Sequence, residues 1–403
     1  MTKKSDAPAI RFKGFSDAWE QRKLSEMCGT FEYGLNAAAK EFDGKNKYIR
    51  ITDIDDASRE FLLSDLSSPD ICLDGMSKYL LSSGDIVFAR TGASVGKTYI
   101  YRENDGIVYF AGFLIRAKVN QDNDAEFVFQ STLSPSYEKY IRITSQRSGQ
   151  PGVNAQEYGE YDLFAPSKEE QQRIGQFLRG IDHLITLHQR ERISFSGRAS
   201  RLIPPINKKR ITSSWEQRKF SELVQIERGG SPRPIDDFIT DAPNGLNWVK
   251  IGDAPTQGNY ITKTAEKIRP EGLSKTREVH PGDLILSNSM SFGKPYIMGI
   301  DGCIHDGWLL IRNTYGVFDL TFLCHLLGTP QMLGQYRSLA AGSTVNNLNK
   351  ELVGNTVVTI PSITEQRVLG DYLEQLDHLI TLHQRELEKL QNIKKSMLEK
   401  MFV

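Results

Sequence analysis

The feature that most constrains the fold of this chain is an internal repeat. Ten residues, Asp182–Glu191, recur without change at Asp377–Glu386, an offset of 377 − 182 = 195. A second string, Trp19–Lys23, recurs at Trp215–Lys219, an offset of 215 − 19 = 196. This period is far longer than a solenoid repeat, so each copy can be a domain with an appended element. The repeat predicts approximate two-fold symmetry, which suits a target that itself has two half-sites.

Each copy has the same order of predicted elements. Short apolar runs bounded by Gly, Asp and Asn turns are typical of strands, and they lie at Tyr48–Ile51, Asp85–Ala89, Phe113–Ala117, Trp248–Ile251, Asp283–Leu286 and Trp308–Ile311. A helical period follows Pro166 and Pro361, where Ser167 with Glu170 and Ser362 with Glu365 predict capping boxes. The predicted fold is α+β. Two mixed α/β domains (1–165 and 213–360) are separated by helical spacer regions (166–212 and 361–403).

The two predicted helices carry the same apolar seam. Neither can bury this seam alone, and helices related by a two-fold axis must run antiparallel, so we expect an antiparallel coiled coil. The first helix becomes a poor helix sequence at SFSGRAS (194–200), and Pro204-Pro205 must end it. Residues expected in the coiled-coil or subunit interface are Ile174, Phe177, Ile181, Leu184, Leu369, Tyr372, Leu376, Leu379, Leu390 and Ile393.

Two pairs of polar loops are candidates for contact with nucleic acid. Gly84–Arg90 resembles Gly282–Asn288 and both are followed by Gly-Lys, so a scaffold recurs while the loop on it differs. Segments 147–154 and 341–347 form the second pair. Arg and Lys suit phosphate or guanine, and Asn suits adenine. An ordinary hairpin or surface loop is an equally acceptable interpretation. The predicted DNA contacts are Arg90, Thr91, Ser94, Lys97, Arg147, Gln150, Asn288, Ser289, Ser291, Lys294, Ser343 and Thr344.

Composition argues against several classes of protein. The 50 basic and 50 acidic residues leave no net charge, whereas a protein that binds nucleic acid alone is usually basic. Partner subunits would therefore have to share the phosphate contacts. No run of 18 apolar residues is present, so no membrane span is expected. The four cysteines are far apart, which argues against a zinc site or a disulfide framework and favours a cytoplasmic location.

The sequence offers no convincing catalytic or metal site. Gly92–Thr98 has three residues between its glycines, where a phosphate-binding loop needs four. The helical histidines (183 and 188, 378 and 383) are five apart, whereas metal ligands on one helical face are three or four apart. The Asn/Asp-Pro-Pro-aromatic string of adenine methyltransferases is also missing. We therefore expect a protein without catalytic residues and without a bound metal.

Taken together, these strings resemble the DNA specificity subunit of type I restriction-modification systems. The resemblance rests on SDAWEQRKLSE (Ser16–Glu26), GDIVFARTGASVGKT (Gly84–Thr98), the EQxxxG after each proline and DHLITLHQRE, and it covers nearly the whole chain. It implies that each domain is a target recognition domain for one half of a split site in double-stranded DNA, and that the two helices set the spacer. It also implies that the helices dock two methyltransferase (modification) subunits, which carry the restriction subunits. The chain itself would bind no cofactor, because S-adenosylmethionine, ATP and Mg serve the partners in DNA methylation and host defence.

Two other classes of function stay open on the sequence alone. An enzyme that reads and modifies DNA itself would have to transfer methyl groups without added subunits. A scaffold for protein partners only would bind no duplex even with those partners present.

Overall fold

The computed structural model describes residues 7–146, 149–203, 215–256, 258–288, 292–340 and 347–402. The chain forms two compact units, which we call unit 1 (Met1–His188 with Glu386–Val403) and unit 2 (Gln189–Arg385). The division falls inside both long helices, so each unit contains part of both. The domain boundaries inferred from sequence remain predictions.

Unit 1 is built on a four-stranded antiparallel sheet. Its strands are β1 (Glu20–Lys23), β2 (Cys28–Tyr33), β3 (Ala39–Glu41), β4 (Lys47–Ile49), β5 (Ser67–Pro69), β6 (Ile86–Ala89), β7 (Thr98–Ile100), β8 (Val108–Phe110), β9 (Leu114–Val119) and β10 (Asp162–Ala165). Its helices are α1 (Leu24–Met27), α2 (Ala125–Ser131), α3 (Pro135–Thr144), α4 (Ala155–Gly159) and the first part of α5 (Lys168–Leu202). The main sheet has the order β2-β9-β6-β7, while β1 pairs with β10, β3 with β5, and β4 with β8 in parallel.

Unit 2 repeats this arrangement with added strands. Its strands are β11 (Glu216–Lys219), β12 (Gln225–Arg228), β13 (Leu246–Val249), β14 (Tyr260–Ile261), β15 (Glu266–Ile268), β16 (Arg277–Val279), β17 (Leu284–Ser287), β18 (Pro295–Met298), β19 (Gly302–Ile304), β20 (Trp308–Arg312) and β21 (Val357–Ile360). Its helices are α6 (Leu320–Leu327), α7 (Pro330–Ala340), α8 (Lys350–Gly354) and most of α9 (Ile363–Met401). The order β12-β20-β17-β18 matches β2-β9-β6-β7 of unit 1. Strands β13 and β19 are parallel, as are β4 and β8.

The repeated string EQRK performs the same task twice. As β1 it pairs antiparallel with β10, and as β11 it pairs antiparallel with β21, which leads into a long helix in each unit. All six strand-like runs of the sequence overlap strands, which confirms their positions, although Tyr48–Ile51 and Trp248–Ile251 each end in a 3-10 turn that begins at the isoleucine.

The central strands β6 and β17 are buried along their whole length, and apart from Ser287 they are apolar, because both of their faces are covered. Ile86 and Phe88 face the core that packs against the helices, while Val87 and Ala89 face a second, smaller core. In unit 2, Leu284 and Leu286 face the helical core and Ile285 faces the other. The residue that follows each central strand is therefore carried on rigid, buried backbone.

Each long helix is anchored to its unit by a glutamine in its first turn. The side chain of Gln171 accepts a hydrogen bond from the Asp124 N–H (3.0 Å) and donates one to the carbonyl of the preceding proline (2.9 Å). Gln366 makes the same two bonds to Asp319 (3.1 Å) and to its own preceding proline (3.0 Å). The direction of each helix is thus tied to the start of α2 or α6.

The adjacent glutamates differ from the capping-box prediction. Ser167 accepts a hydrogen bond from the Glu170 N–H at 3.5 Å, but the Glu170 carboxylate is bound by the Arg11 guanidinium (2.6 and 2.7 Å). Glu365 instead accepts a hydrogen bond from the Trp215 indole (3.0 Å). The helix starts were predicted correctly, whereas the predicted role of the glutamates was wrong because side chains that are distant in sequence donate to them instead.

Helices α5 and α9 run antiparallel within unit 1. Segment 10–11 links Glu170, near the start of α5, to the carbonyl of Lys400, near the end of α9. Further along α5, Asp182 forms an ion pair with Lys394 at 2.5 Å. Residue numbers therefore rise along one helix as they fall along the other, as the two-fold argument required.

The stretch SFSGRAS (194–200) is helical, contrary to the expectation from its residue types. In unit 2 the Phe195 ring packs on His383 at 5.5 Å between centroids, and Ala199 and Leu202 pack against the core. Tertiary packing against α9 overrides the weak helix propensity of these residues. Helix α5 ends at Leu202, before the two prolines.

The residues that we expected in the coiled-coil or subunit interface differ in how exposed their side chains are. Ile174, Ile181 and Leu376 are buried, and Leu369, Leu379, Leu390 and Ile393 are partly buried. Phe177, Leu184 and Tyr372 instead remain 39%, 43% and 42% exposed. These three side chains therefore lie outside the packed seam. Among the residues described, no helix combines the length and the apolar character needed to cross a membrane.

Candidate nucleic-acid interface

The loops chosen from sequence extend from the central strands in the same way in both units. Arg90 follows β6, and its N–H donates to the Phe113 carbonyl (3.0 Å) while its carbonyl accepts from the Val153 N–H (2.9 Å). Asn288 follows β17 and makes the same two bonds, at 2.9 and 3.0 Å, to the matching residues of unit 2. The two positions are equivalent in the repeat, and their side chains differ.

In unit 1 the two candidate loops, which are separate in the sequence, lie next to each other. The Arg90 guanidinium lies 4.9 Å from the centroid of the half-exposed Tyr33 ring. Thr91 pairs with Gly152 in a short β-bridge, and Gln150 beside it is exposed. Arg90, Thr91 and Gln150 thus form one polar edge that is open to solvent, and Ser94 is half-buried in the turn that follows.

Lys97, one of the predicted DNA contacts, is buried in unit 1. It is 8% exposed, its ammonium donates to the Ile54 carbonyl at 3.0 Å, and it forms an ion pair with Asp56 at 2.6 Å. A charged group that is buried must be paired, and Lys97 satisfies this rule inside the protein. The structure therefore gives no support to a phosphate contact by this lysine.

Asn288 is also buried, and its side chain is used in a hydrogen bond within the protein. It is 2% exposed, and its amide donates to the Asp306 carbonyl at 2.8 Å, so it lacks the free edge that adenine reading needs. Lys294 is half-buried, with its ammonium 4.9 Å from the centre of the Tyr296 ring. The remaining predicted contacts lie outside the described residues: Arg147, Ser289, Ser291, Ser343 and Thr344.

A cleft opens beside the polar edge of unit 1; we call it cleft 1. Its volume is about 580 Å³. Its lining includes Tyr33, Asn36, Arg50, Thr52, Arg90 and Phe113. The Phe113 ring is 60% exposed at this cleft. Aromatic rings and arginines on one open surface are the groups that contact nucleic acid bases and phosphates.

Unit 2 carries a larger cleft of about 1020 Å³, which we call cleft 2. Its lining includes Arg233, Asp236, Trp248, Lys250, Glu266 and Asp306. It lies between the segment after β12, the end of β13 and the turn between β19 and β20.

The two clefts occupy equivalent places in the repeated fold. Gly34 follows β2 and Gly229 follows β12, and a Cβ at either would lie only 2.1 or 2.2 Å from a carbonyl oxygen of the turn opposite. Arg50 follows β4 and Lys250 follows β13, and the N–H of each donates to an aspartate three residues on (2.9 and 2.8 Å). Each unit thus holds one cation at the same point of its cleft.

Our sequence-based selection missed this pair of cations, although a signal was present. Tyr48–Asp53 reads YIRITD and Trp248–Asp253 reads WVKIGD, with aromatic, cationic and aspartate residues in register. The motif marks the end of one strand in each copy. It was overlooked because the offset here is 200 residues, since 248 − 48 = 200, rather than 195.

The electrostatics of the two clefts differ. None of the described residues that line cleft 1 is acidic, whereas cleft 2 has Asp236, Glu266 and Asp306 beside its cations. Burial raises the pKa of the Tyr48 phenol, which remains a neutral donor to the Leu35 carbonyl at 2.6 Å. The clefts are therefore equivalent in position but complementary to different surfaces.

Comparison with known proteins agrees with this architecture. The domain family described as type I restriction modification DNA specificity domain matches the chain twice, at residues 16–194 and 212–392. The specificity subunit of the type I restriction enzyme MjaVIII from Methanocaldococcus jannaschii is 21% identical over 365 residues, covering 85% of this chain and 83% of the relative. The MjaX specificity subunit of that organism is 22% identical over 404 residues, covering 94% and 92%.

Solved structures share the fold. The crystal structure of a type I restriction-modification S subunit from M. genitalium aligns with a TM-score of 0.63 at 14% identity, covering 98% of this chain and 99% of that one. A chain from a structure on complex assembly and conformational transition of a type I system aligns with a TM-score of 0.50 at 17% identity, covering 94% and 96%.

Proposed function

The chain belongs to the DNA specificity subunits of type I restriction-modification systems, a non-catalytic family, and we propose that it reads a bipartite DNA site with one half-site for each unit. The observation that carries this proposal is the repeated cleft. Two units with the same strand order each present an open cleft with one cation at the same place.

The balanced charge of the chain supports shared binding of DNA. Phosphate contacts dominate affinity for duplex DNA and require many free cations. In this chain Lys97 is buried, and Arg50 is held by Asp53 through two side-chain bonds of 2.8 and 2.9 Å. Neither of these two cations is free for phosphates, so we expect partner subunits to supply part of that contact.

We further propose that the long helices dock two modification subunits. Phe177 and Leu187 on α5 are 39% and 41% exposed, and the matching Tyr372 and Leu382 on α9, each 195 residues later, are 42% and 45% exposed. Each unit therefore exposes an aromatic residue and a leucine at equivalent positions of its long helix. Repeated apolar surface suits two copies of one partner, and restriction subunits would join through them. S-adenosylmethionine, ATP and magnesium would then be bound by these partners.

The first test is the genomic adenine methylome of cells that carry this chain and its modification subunit, measured by long-read sequencing. We expect a bipartite methylated motif that disappears when the chain is deleted. Arg90→Ala should weaken or relax one half-site only, because Arg90 lies in unit 1. A motif without two halves, or an unchanged methylome in the deletion strain, would refute the proposal.

Docking is tested separately by the stoichiometry of the purified complex. Replacing Phe177 and Leu187 by Ser should leave one modification subunit per chain rather than two, since the pair in unit 2 is untouched. Gln176→Ser, an exposed polar residue in the same turn, is the control and should keep both. Retention of two subunits by the double variant would contradict the docking proposal.

A further inference from the structure

We propose that Arg233 and Asp306 in cleft 2 read a single C·G base pair of the second half-site, with Asp306 at the cytosine and Arg233 at the guanine. The inference rests on the proposed function of the chain. It identifies the residues of unit 2 that recognise a base pair, and the base pair that they recognise.

Asp306 is held in place from several directions. It lies in the turn between β19 and β20, where its carbonyl accepts a hydrogen bond from the Asn288 amide at 2.8 Å. Its carboxylate accepts a hydrogen bond from the Ser231 hydroxyl at 3.0 Å, and its carbonyl also accepts one from the Arg228 guanidinium at 3.4 Å. A carboxylate fixed by such contacts is positioned before a ligand arrives, which lowers the entropic cost of specific recognition.

Arg233 stands opposite, on the segment that follows β12. Its guanidinium lies 3.8 Å from the second carboxylate oxygen of Asp306, a distance that permits attraction but exceeds hydrogen-bond length. The Arg233 side chain is 83% exposed and that of Asp306 is 32% exposed. The pair is therefore a donor and an acceptor side by side at the mouth of cleft 2.

The chemistry of the base edges selects the target. An ionised aspartate only accepts hydrogen bonds, and it is repelled by phosphates, so on DNA it must meet a base amino group. In the major groove cytosine offers its N4 amino group alone, whereas the amino group of adenine lies next to the N7 acceptor, which would repel a carboxylate. Arginine binds guanine O6 and N7 with two hydrogen bonds. A C·G pair places these donor and acceptor groups side by side, as Arg233 and Asp306 require.

Unit 1 lacks this pair. The residue equivalent to Asp306 is Gly112. Strand β19 of unit 2 and strand β8 of unit 1 each pair in parallel with a neighbour, and Asp306 and Gly112 are the second residues after these strands. The described residues that line cleft 1 include no acid. The effect of the pair should therefore be confined to one half-site.

The experiment uses the chain in complex with its modification subunits, and a duplex library with every position of the site randomised. Methylation of the library is sequenced for the wild type, Arg233→Gln, Asp306→Asn and the control Arg218→Gln. Arg218 lies on β11, outside the described lining of cleft 2, and forms an exposed ion pair with Glu222. We expect both cleft variants to relax the same C·G position by roughly ten- to a hundred-fold. The control should retain the wild-type motif.

The relaxed position must lie in the half-site that Arg90→Ala does not affect. Relaxation at two different positions, at an A·T pair, or at none would overturn the inference. If Asp306→Asn abolishes all methylation, Arg233→Gln decides, because its exposed side chain is not needed for folding. A wild-type complex that methylates without a bipartite motif would instead refute the proposed function, so the two failures are distinguishable.

Discussion

Replacing Gly175 by alanine should weaken the junction between α5 and the globular part of unit 1. Gly175 is the glycine of the EQxxxG motif, one turn after the anchoring Gln171. A Cβ at this position would lie 2.5 Å from the Asp124 Oδ1 and 2.9 Å from the Phe127 backbone nitrogen. Asp124 caps α2 by accepting a hydrogen bond from that same Phe127 N–H at 2.8 Å. The added methyl group therefore strikes a helix cap.

The magnitude follows from opposing terms. Overpacking costs about 1–3 kcal/mol, and loss of the Asp124 cap costs about 1 kcal/mol. Alanine gains about 1 kcal/mol over glycine in a helix interior. The net loss in the free energy of unfolding is thus about 1–3 kcal/mol. Gly180 on the same helix has nothing within 4 Å of its Cβ position, so Gly180→Ala should stabilise the protein by up to about 1 kcal/mol.

The assay is urea unfolding of the full chain, with hydrogen exchange of segment 125–131 as the local readout. Gly175→Ala should lower the midpoint and speed exchange in α2, whereas Gly180→Ala should raise the midpoint. The two variants differ by the same methyl group on the same helix, so helix propensity cancels in the comparison. If Gly175→Ala stabilises the protein as much as Gly180→Ala, the close approach of α5 to Asp124 is refuted.

Three further outcomes are expected. Lys97→Met should lower the free energy of unfolding by about 1–3 kcal/mol, because a charged hydrogen bond is lost. The salt dependence of DNA binding should stay unchanged. If the slope of log affinity against log salt concentration fell by about one, Lys97 would contact a phosphate after all. A thiol reagent should label only the exposed Cys72 in the native chain. Burial raises the pKa of the other three thiols, those of Cys28, Cys303 and Cys324, to about 12. Early labelling of any of these three would contradict their burial. The hydrogen bond from Arg116 lowers the pKa of Glu32, so its stabilisation is present above the ordinary value and is lost as pH falls through the lowered one. Glu32→Gln should therefore be less stable than the wild type near pH 7 but equal to it at low pH, and a constant difference in urea midpoint across that range would exclude the linkage.

The sequence predicted where the candidate loops lie but not the surroundings of their individual side chains, and the DNA contacts themselves stay predictions. The loops after the central strands were placed correctly because GDIVFAR and GDLILSN are local patterns that specify a buried strand followed by a turn. The fates of Arg90 and Lys97 could not be separated in this way. Both are cations in one loop, but Lys97 meets Asp56 and the carbonyl of Ile54, some 40 residues earlier, while Arg90 meets Tyr33 and open solvent.

The amino-acid sequence by itself determined the two-fold repeat, the α+β order of elements, the antiparallel long helices and the family. These follow from identity between segments and from short-range periodicity, which any copy of the pattern displays. Only the tertiary structure decided which apolar helix residues pack and which stay exposed, and where the clefts open. Phe177 and Ile181 belong to one helical seam, yet only Ile181 is buried, because burial depends on which surface folds against each face. Arg233 and Asp306 lie 73 residues apart (306 − 233 = 73) and meet only when β12 and β20 pair.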